Sequence, residues 1–167
     1  MSKKINNEWY TPTIWVERAR ETLGSIDLDP CSCEEANKII QAEKYFTIKD
    51  NCLLQEWKCK NLFINPPYSG GLMTKIVDKM ILEFYNDSFE NAVVLTNSNT
   101  DTKWYHKLLK ESCVMAFPKG RIKFLGEKNY GARAPQTFFL MSSNLTRSLI
   151  NRFYIVFKDS CKILDII

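Results

Sequence analysis

The chain is poor in the groups that metal chemistry needs. It has a single histidine, His106, and its six cysteines (31, 33, 52, 59, 113 and 161) form no C-x-x-C pair, so no resident metal is expected. No apolar run approaches the roughly 20 residues of a membrane-spanning helix. Met1-Ser2-Lys3-Lys4 leads into polar sequence rather than a signal peptide, so neither a membrane partner nor secretion is expected, and the thiols should stay reduced. The G-x-G-x-x-G fingerprint of dinucleotide folds is missing. Repeats, low-complexity tracts and linkers are missing too, which leaves the 167 residues as one expected domain. Nothing in the sequence sets an oligomeric state.

Hydrophobic residues make up 45% of the chain and charged residues 25%, ordinary proportions for a globular protein. The net charge of +4 is modest but local. Between positions 119 and 133 lie Lys119, Arg121, Lys123, Lys128 and Arg133 against one acid, Glu127. That window carries the whole excess, which marks it as a candidate phosphate-binding surface.

The most informative stretch is Asn65-Pro66-Pro67-Tyr68-Ser69, delivered by the apolar run Leu62-Phe63-Ile64. A short strand ending in such a loop belongs beyond the carboxyl end of an open α/β sheet, where ligands bind. Asn65 brings an amide, the two prolines stiffen the loop and remove two N–H donors, and Tyr68 adds a flat aromatic face. These parts suit attack by an exocyclic amine. Two carbonyls, from the Asn65 side chain and the Pro66 main chain, can each accept one N–H and stabilise the positive charge that develops on the nitrogen. Tyr68 can stack on the base, an interaction worth about 1–3 kcal/mol.

The remaining pattern predicts alternating helices and strands. Thr11 is placed to cap a helix with Pro12 at its first position and Ile14, Trp15, Ala19 and Leu23 on its apolar face, ended by Gly24. Ile26 and Leu28 alternate with Asp27 and Asp29 in a strand broken at Pro30-Cys31-Ser32, ahead of a helical stretch from Glu34. A short strand follows near Lys44-Tyr45, then Asp50 and Trp57. Met73, Ile76, Val77, Met80, Ile81 and Phe84 predict a core-packing helix. Ala92 to Leu95 is a buried-type strand, and Thr100 or Asp101 is expected to cap the helix bearing Trp104 and Leu108. Val114 to Phe117 is another strand, and Arg121 and Lys123 share one face of an alternating run opposite Ile122 and Phe124. The segment from Pro135 to Leu140 reads as the antiparallel return of that run, and a short helix and a strand at Phe153–Phe157 close the chain.

Asn-Pro-Pro-Tyr is similar to the catalytic motif of amino-methyltransferases that use S-adenosylmethionine (SAM). Trp9-Tyr10-Thr11-Pro12 resembles the N-terminal motif of adenine methyltransferases, which closes over the methionine end of SAM. Asp29-Pro30-Cys31-Ser32 looks like the reduced SAM motif of the phage-type DNA adenine methyltransferases, and Phe117-Pro118-Lys119-Gly120-Arg121-Ile122-Lys123-Phe124 matches the same family's later landmark. On these motifs the chain resembles the phage-type (Dam-family) DNA N6-adenine methyltransferases.

The resemblance implies a Rossmann-like class I α/β fold: a mostly parallel central sheet, helices on both faces and a C-terminal antiparallel β-hairpin. It implies SAM as cofactor, with Trp9, Tyr10, Thr11, Pro12, Asp29, Pro30, Cys31, Ser32, Asp50 and Asn65 around it, and Glu43 as a weaker candidate for the ribose. It implies Asn65, Pro66, Pro67 and Tyr68 as the catalytic group, and DNA as partner along Lys119, Arg121, Lys123, Lys128 and Arg133. The setting implied is phage or prophage modification in the cytoplasm of a bacterial host. Two other readings share these residues: a methyltransferase of a protein glutamine or RNA base, and an inactive nucleic-acid-binding relative. Asp29 also suits a plain surface turn, Asp50 and Glu43 also suit simple solvated carboxylates, and His106 is expected to be structural or exposed.

Overall fold

The computed structural model describes residues 9–68, 71–126 and 134–166. Its centre is a seven-stranded sheet in the order β2-β1-β3-β4-β6-β5-β7. The strands are β1 (Leu28–Asp29), β2 (Lys44–Tyr45), β3 (Asn61–Ile64), β4 (Asn91–Asn97), β5 (Val114–Pro118), β6 (Gln136–Ser142) and β7 (Cys161–Asp165). Neighbours from β2 to β4 are parallel, while β6 is antiparallel to both β4 and β5, and β7 to β5. One half of the sheet is therefore parallel and the other half antiparallel.

Side-chain alternation explains why helices cover both faces. Phe63, Val93, Leu95, Phe138 and Leu140 point to one side, where they meet Val16, Ala19 and Leu23 of α1 (Thr13–Leu23), Ala36 and Ile40 of α2 (Glu34–Ile40), and Leu149, Phe153 and Phe157 of α5 (Arg147–Phe157). Their immediate neighbours Leu62, Ile64, Ala92, Val94, Phe139 and Met141 point to the other side, against Met73, Ile76, Val77 and Met80 of α3 (Leu72–Tyr85) and Trp104, Tyr105 and Leu108 of α4 (Lys103–Glu111). Near-continuous apolar runs such as Ala92-Val93-Val94-Leu95 are what a strand buried on both faces requires. None of the helices among the described residues is long and apolar enough to cross a membrane.

Several elements depart from the sequence reading. Residues 153–157 are helical, and the last strand is β7. Tyr154-Ile155-Val156 favours a strand, but β-propensity spans only about 1 kcal/mol. Leu149, Phe153 and Phe157, spaced four apart, are buried together in the helix, and each such burial contributes about 1.5–3 kcal/mol. The antiparallel return also has a different partner. β6 pairs with Val114, Met115 and Ala116, not with residues 121–124. Both edges of β6 are already occupied, by β4 and β5, so no ladder edge remains for 121–124. That segment keeps its alternation all the same, with Ile122 and Phe124 buried and Arg121 and Lys123 exposed.

Two caps differ as well. Pro12 is the N-cap of α1, its carbonyl accepting from Trp15 N (2.9 Å) and Val16 N (3.2 Å), and no side chain caps the helix. Val16 takes the buried place expected for Ile14, which is exposed. In α4 the cap is Thr102, in an extended conformation with its hydroxyl accepting from Tyr105 N, rather than Thr100 or Asp101.

Candidate active site

The chain leaves β1 to form β2 on one side and then returns to lay β3 on the other, so the order of the parallel strands reverses between β1 and β3. An open α/β sheet has a crevice at such a point, beyond the carboxyl ends of the strands. β1 ends in Asp29 and β3 leads straight into Asn65. The topology thus brings these two sequence-predicted residues to adjacent strand ends.

Asn65 is half-buried, and its amide Nδ2 donates to Thr11 Oγ1 at 3.2 Å. With that hydrogen bond made, Asn65 Oδ1 and the Pro66 carbonyl have no donor among the described residues. Pro66 is buried and Pro67 exposed. The loop leaves through Gly71, whose φ of +71° suits a residue without Cβ, and enters α3. Ser69 and Gly70 lie outside the described residues.

Tyr68 is held at its hydroxyl end. The main-chain N–H of Asn97, at the end of β4, donates to Tyr68 Oη, and the ring packs against Trp104 with centroids 6.4 Å apart. Tyr68 as a whole is 37% exposed, while burial of the hydroxyl end pushes the phenol well above its ordinary pKa, countered in part by the Asn97 N–H. Tyr68 therefore offers a neutral aromatic surface from a fixed anchor. Asn97 is held in turn, its Oδ1 accepting from Gln136 Nε2 at the start of β6. The support of Tyr68 by Asn97 and Gln136 escaped the sequence reading. Only the polar end of the β4 sequence hinted at Asn97, and nothing in the pattern singled out Gln136.

Asp29 is almost fully buried, at 1% exposure. Its Oδ1 accepts from Cys31 N at 3.1 Å. Burial raises its pKa to about 7, and the Cys31 N–H and the Ser32 hydroxyl lower it only in part. Ser32 Oγ is itself buried without a hydrogen bond of ordinary geometry. The surface-turn reading of Asp29 is thereby overturned: Asp29 and Pro30 are both buried, beneath the half-buried Cys31 and Ser32. Asp50, by contrast, is exposed and accepts from both the N–H and the hydroxyl of Thr47 at 2.7 Å. Those hydrogen bonds hold its carboxyl below the usual range. The two acidic turns meet where Cys31 Sγ lies 3.7 Å from Cys52 Sγ. Glu43 is exposed, as is His106, whose Nε2 lies 2.9 Å from the Thr100 carbonyl.

The N-terminal segment lies between this crevice and the basic stretch. Tyr10 N donates to Leu125 O at 2.8 Å and Leu125 N to Tyr10 O at 2.9 Å, while the Trp9 ring meets Phe124 edge-on. Lys119, Arg121 and Lys123 are exposed, with Lys119 Nζ donating to the Asp159 carbonyl. Lys128 and Arg133 lie outside the described residues. No group of three metal-ligating side chains occurs among the described residues.

A parallel half-sheet with an acid at the end of one strand and Asn-Pro-Pro-Tyr at the end of its neighbour is the arrangement expected of SAM-dependent amino-methyltransferases from the motifs. Similarity to known proteins narrows this. A family model described as "DNA N-6-adenine-methyltransferase (Dam)" matches residues 1–153, and the chain belongs to that family. It is also 28% identical over 149 residues to the "DNA N-6-adenine-methyltransferase" of Haemophilus phage HP1 (strain HP1c1), covering 83% of this chain and 81% of that protein. The chain is therefore an enzyme that methylates adenine N6 in DNA, in a family that depends on SAM.

Proposed function

We propose that the crevice between β1 and β3 binds SAM and a flipped adenine side by side, with Asn65 and Pro66 as the groups that activate the adenine amine. The observation that carries this is the pair of neighbouring carbonyls, Asn65 Oδ1 and Pro66 O, both without a donor among the described residues while the Asn65 NH2 is engaged by Thr11. Each accepts one N–H of the amine and draws its lone pair out of conjugation with the ring. Positive charge growing on the nitrogen is then met by two dipoles already in place. The extra proton is acidic once the methyl has been transferred, so no strong general base is needed. Pro67 stiffens the loop, and Tyr68 stacks on the base that has left the duplex.

The residues at the strand ends fit SAM. Burial leaves Asp29 short of compensating charge, a deficit that a cationic ligand makes up, and the Ser32 hydroxyl beside it has capacity for a further hydrogen bond. Asp29, Pro30, Cys31 and Ser32 would hold the amino-acid part, Trp9, Tyr10, Thr11 and Pro12 would border the methionine end beside Asn65, and Asp50 would lie toward the adenosine. When bound, SAM supplies an electrophilic methyl group on a sulfonium. The reversal of strand order between β1 and β3 supports the Rossmann-like class I reading of the fold. Lys119, Arg121 and Lys123, together with Lys128 and Arg133, would neutralise DNA phosphates. The phage origin of the relative supports a role in phage or prophage DNA modification, in the cytoplasm of a bacterial host.

Incubation of wild type and Asn65→Ala with DNA and tritium-labelled SAM, followed by nucleoside analysis, tests the central assignment. The variant is expected to lose at least about a hundredfold in turnover, the scale of one preorganised charge-stabilising group. Calorimetry should find its SAM affinity largely retained. Wild-type turnover in Asn65→Ala would overturn the mechanism.

A further inference from the structure

We infer that Leu125 is the wedge that enters the duplex as the target adenine leaves it, filling the place of the flipped base. The inference rests on the reading above that the segment from Lys119 onward faces DNA, and it adds a side chain with no part in phosphate contact. Turning a base out of the stack breaks its pairing and opens a gap between its neighbours. Apolar side chains, leucine among them, are what DNA-deforming proteins insert between bases.

A single exposed leucine is ordinary on a protein surface; Leu125 is set apart by its place. Arg121, Lys123 and Leu125 are the exposed positions of a run whose alternate positions, Ile122 and Phe124, are buried. The leucine therefore continues the row of the two cations assigned to phosphate. A row that served only solvation would gain from a third polar residue there, whereas an apolar side chain gains from a partner that covers it. Leu125 is 39% exposed, yet its backbone is fixed, because its N–H and carbonyl exchange hydrogen bonds of 2.9 and 2.8 Å with Tyr10. The buried Phe124 before it meets the Trp9 ring edge-on. A side chain on so fixed a stem enters the duplex without first ordering its own backbone. Tyr10 leads into Thr11, whose Oγ1 lies 3.2 Å from Asn65 Nδ2. Leu125 is thus tied, through two residues, to the loop that would receive the flipped base.

Sequencing of plasmid DNA methylated by the wild type locates the target position, and duplexes carrying it are made in three forms. One is normal, one has 2-aminopurine in place of the target adenine, so that fluorescence rises on unstacking, and one has an abasic site opposite the target, which is then already unpaired. Leu125→Ala should slow single-turnover methylation of the normal duplex about tenfold or more, the scale of burying one leucine side chain, and should lose the fluorescence rise. Leu125→Met, apolar and of similar volume, should keep both. On the abasic duplex Leu125→Ala should match the wild type, and its SAM affinity by calorimetry should be unchanged. Leu125→Ser gives the same comparison if the alanine variant does not fold. Normal rate and fluorescence in Leu125→Ala, a loss that the abasic duplex does not relieve, or a loss matched by weaker SAM binding would each overturn the inference. If replacing Arg121 and Lys123 by Ala weakens DNA binding while Leu125→Ala is normal, this inference alone falls. If neither change affects DNA binding or methylation, the reading of the segment as DNA-facing falls with it.

Discussion

The loop Asn65–Tyr68 and the segment Lys119–Leu125 border the same N-terminal stretch, yet they are built in opposite ways. In the loop, Asn65 is tied to Thr11 and Tyr68 to Asn97, both before any substrate is present. In the segment, Arg121 and Lys123 are exposed and have no ion pair or hydrogen bond among the described residues, while Lys119 is held at the Asp159 carbonyl and Ile122 and Phe124 are buried. Groups that must meet a developing charge gain from being held in advance, because no reorganisation is then needed during the reaction. Groups that meet phosphates along an irregular backbone gain from long, free side chains. The difference separates a preorganised centre from an adaptable rim.

The largest effect expected from breaking this contrast is at Asp29, the most buried charge-bearing group of the centre. The folded protein holds the Asp29 proton up to pH of about 7, whereas an unfolded chain releases it near pH 4. Folding stability should therefore fall as pH rises between those values and stay reduced above them. Asp29→Asn removes that loss, so its thermal melts at pH 8 should show a gain on the order of a few kcal/mol that vanishes at acidic pH. Its SAM affinity should move the other way and weaken. Identical pH profiles for the two proteins would show that Asp29 carries no such strain.

Tyr68 comes next. Tyr68→Ala removes the stacking surface and should cost about 1–3 kcal/mol in kcat/KM. Tyr68→Phe keeps the ring, loses only the anchor to Asn97, and should cost about 0.5–1.5 kcal/mol. Equal losses in the two variants would mean that the hydroxyl, and not the ring, is the functional part.

At the rim, replacing Arg121 and Lys123 together by Ala should flatten the dependence of log K for duplex DNA on log salt by about two units, if each meets one phosphate. Methylation under saturating DNA should be untouched. An unchanged slope and affinity would move the DNA surface elsewhere, with the loop from Ser98 to Lys103 the next candidate. The smallest effect belongs to a control remote in role. Thr146 caps α5 by accepting from Leu149 N at 3.1 Å, so Thr146→Ala should lower stability by about 1 kcal/mol in chemical denaturation and leave turnover alone.

Much of the centre was legible because its parts are local in sequence. Ile64 delivers Asn65, and the prolines and Tyr68 follow within four residues. The partners were not legible, because Thr11, Asn97 and Gln136 reach the loop only through the sheet and its flanks, across tens of residues. The strand reading of 121–124 failed for a related reason: alternation reports which side chains are buried, not whether a free strand edge exists to pair with. At Phe153–Phe157 the local preference was real, but three apolar residues at helical spacing outweighed it.

The two hydrogen bonds between Tyr10 and Leu125 join the segment nearest the proposed cofactor to the one nearest the proposed DNA. Thermodynamic reciprocity then applies: whatever factor bound SAM adds to DNA affinity through this bridge, bound DNA must add to SAM affinity. The supply of SAM would in that way help decide how long the enzyme stays on DNA, and a substitution on either side of the bridge would change both equilibria together.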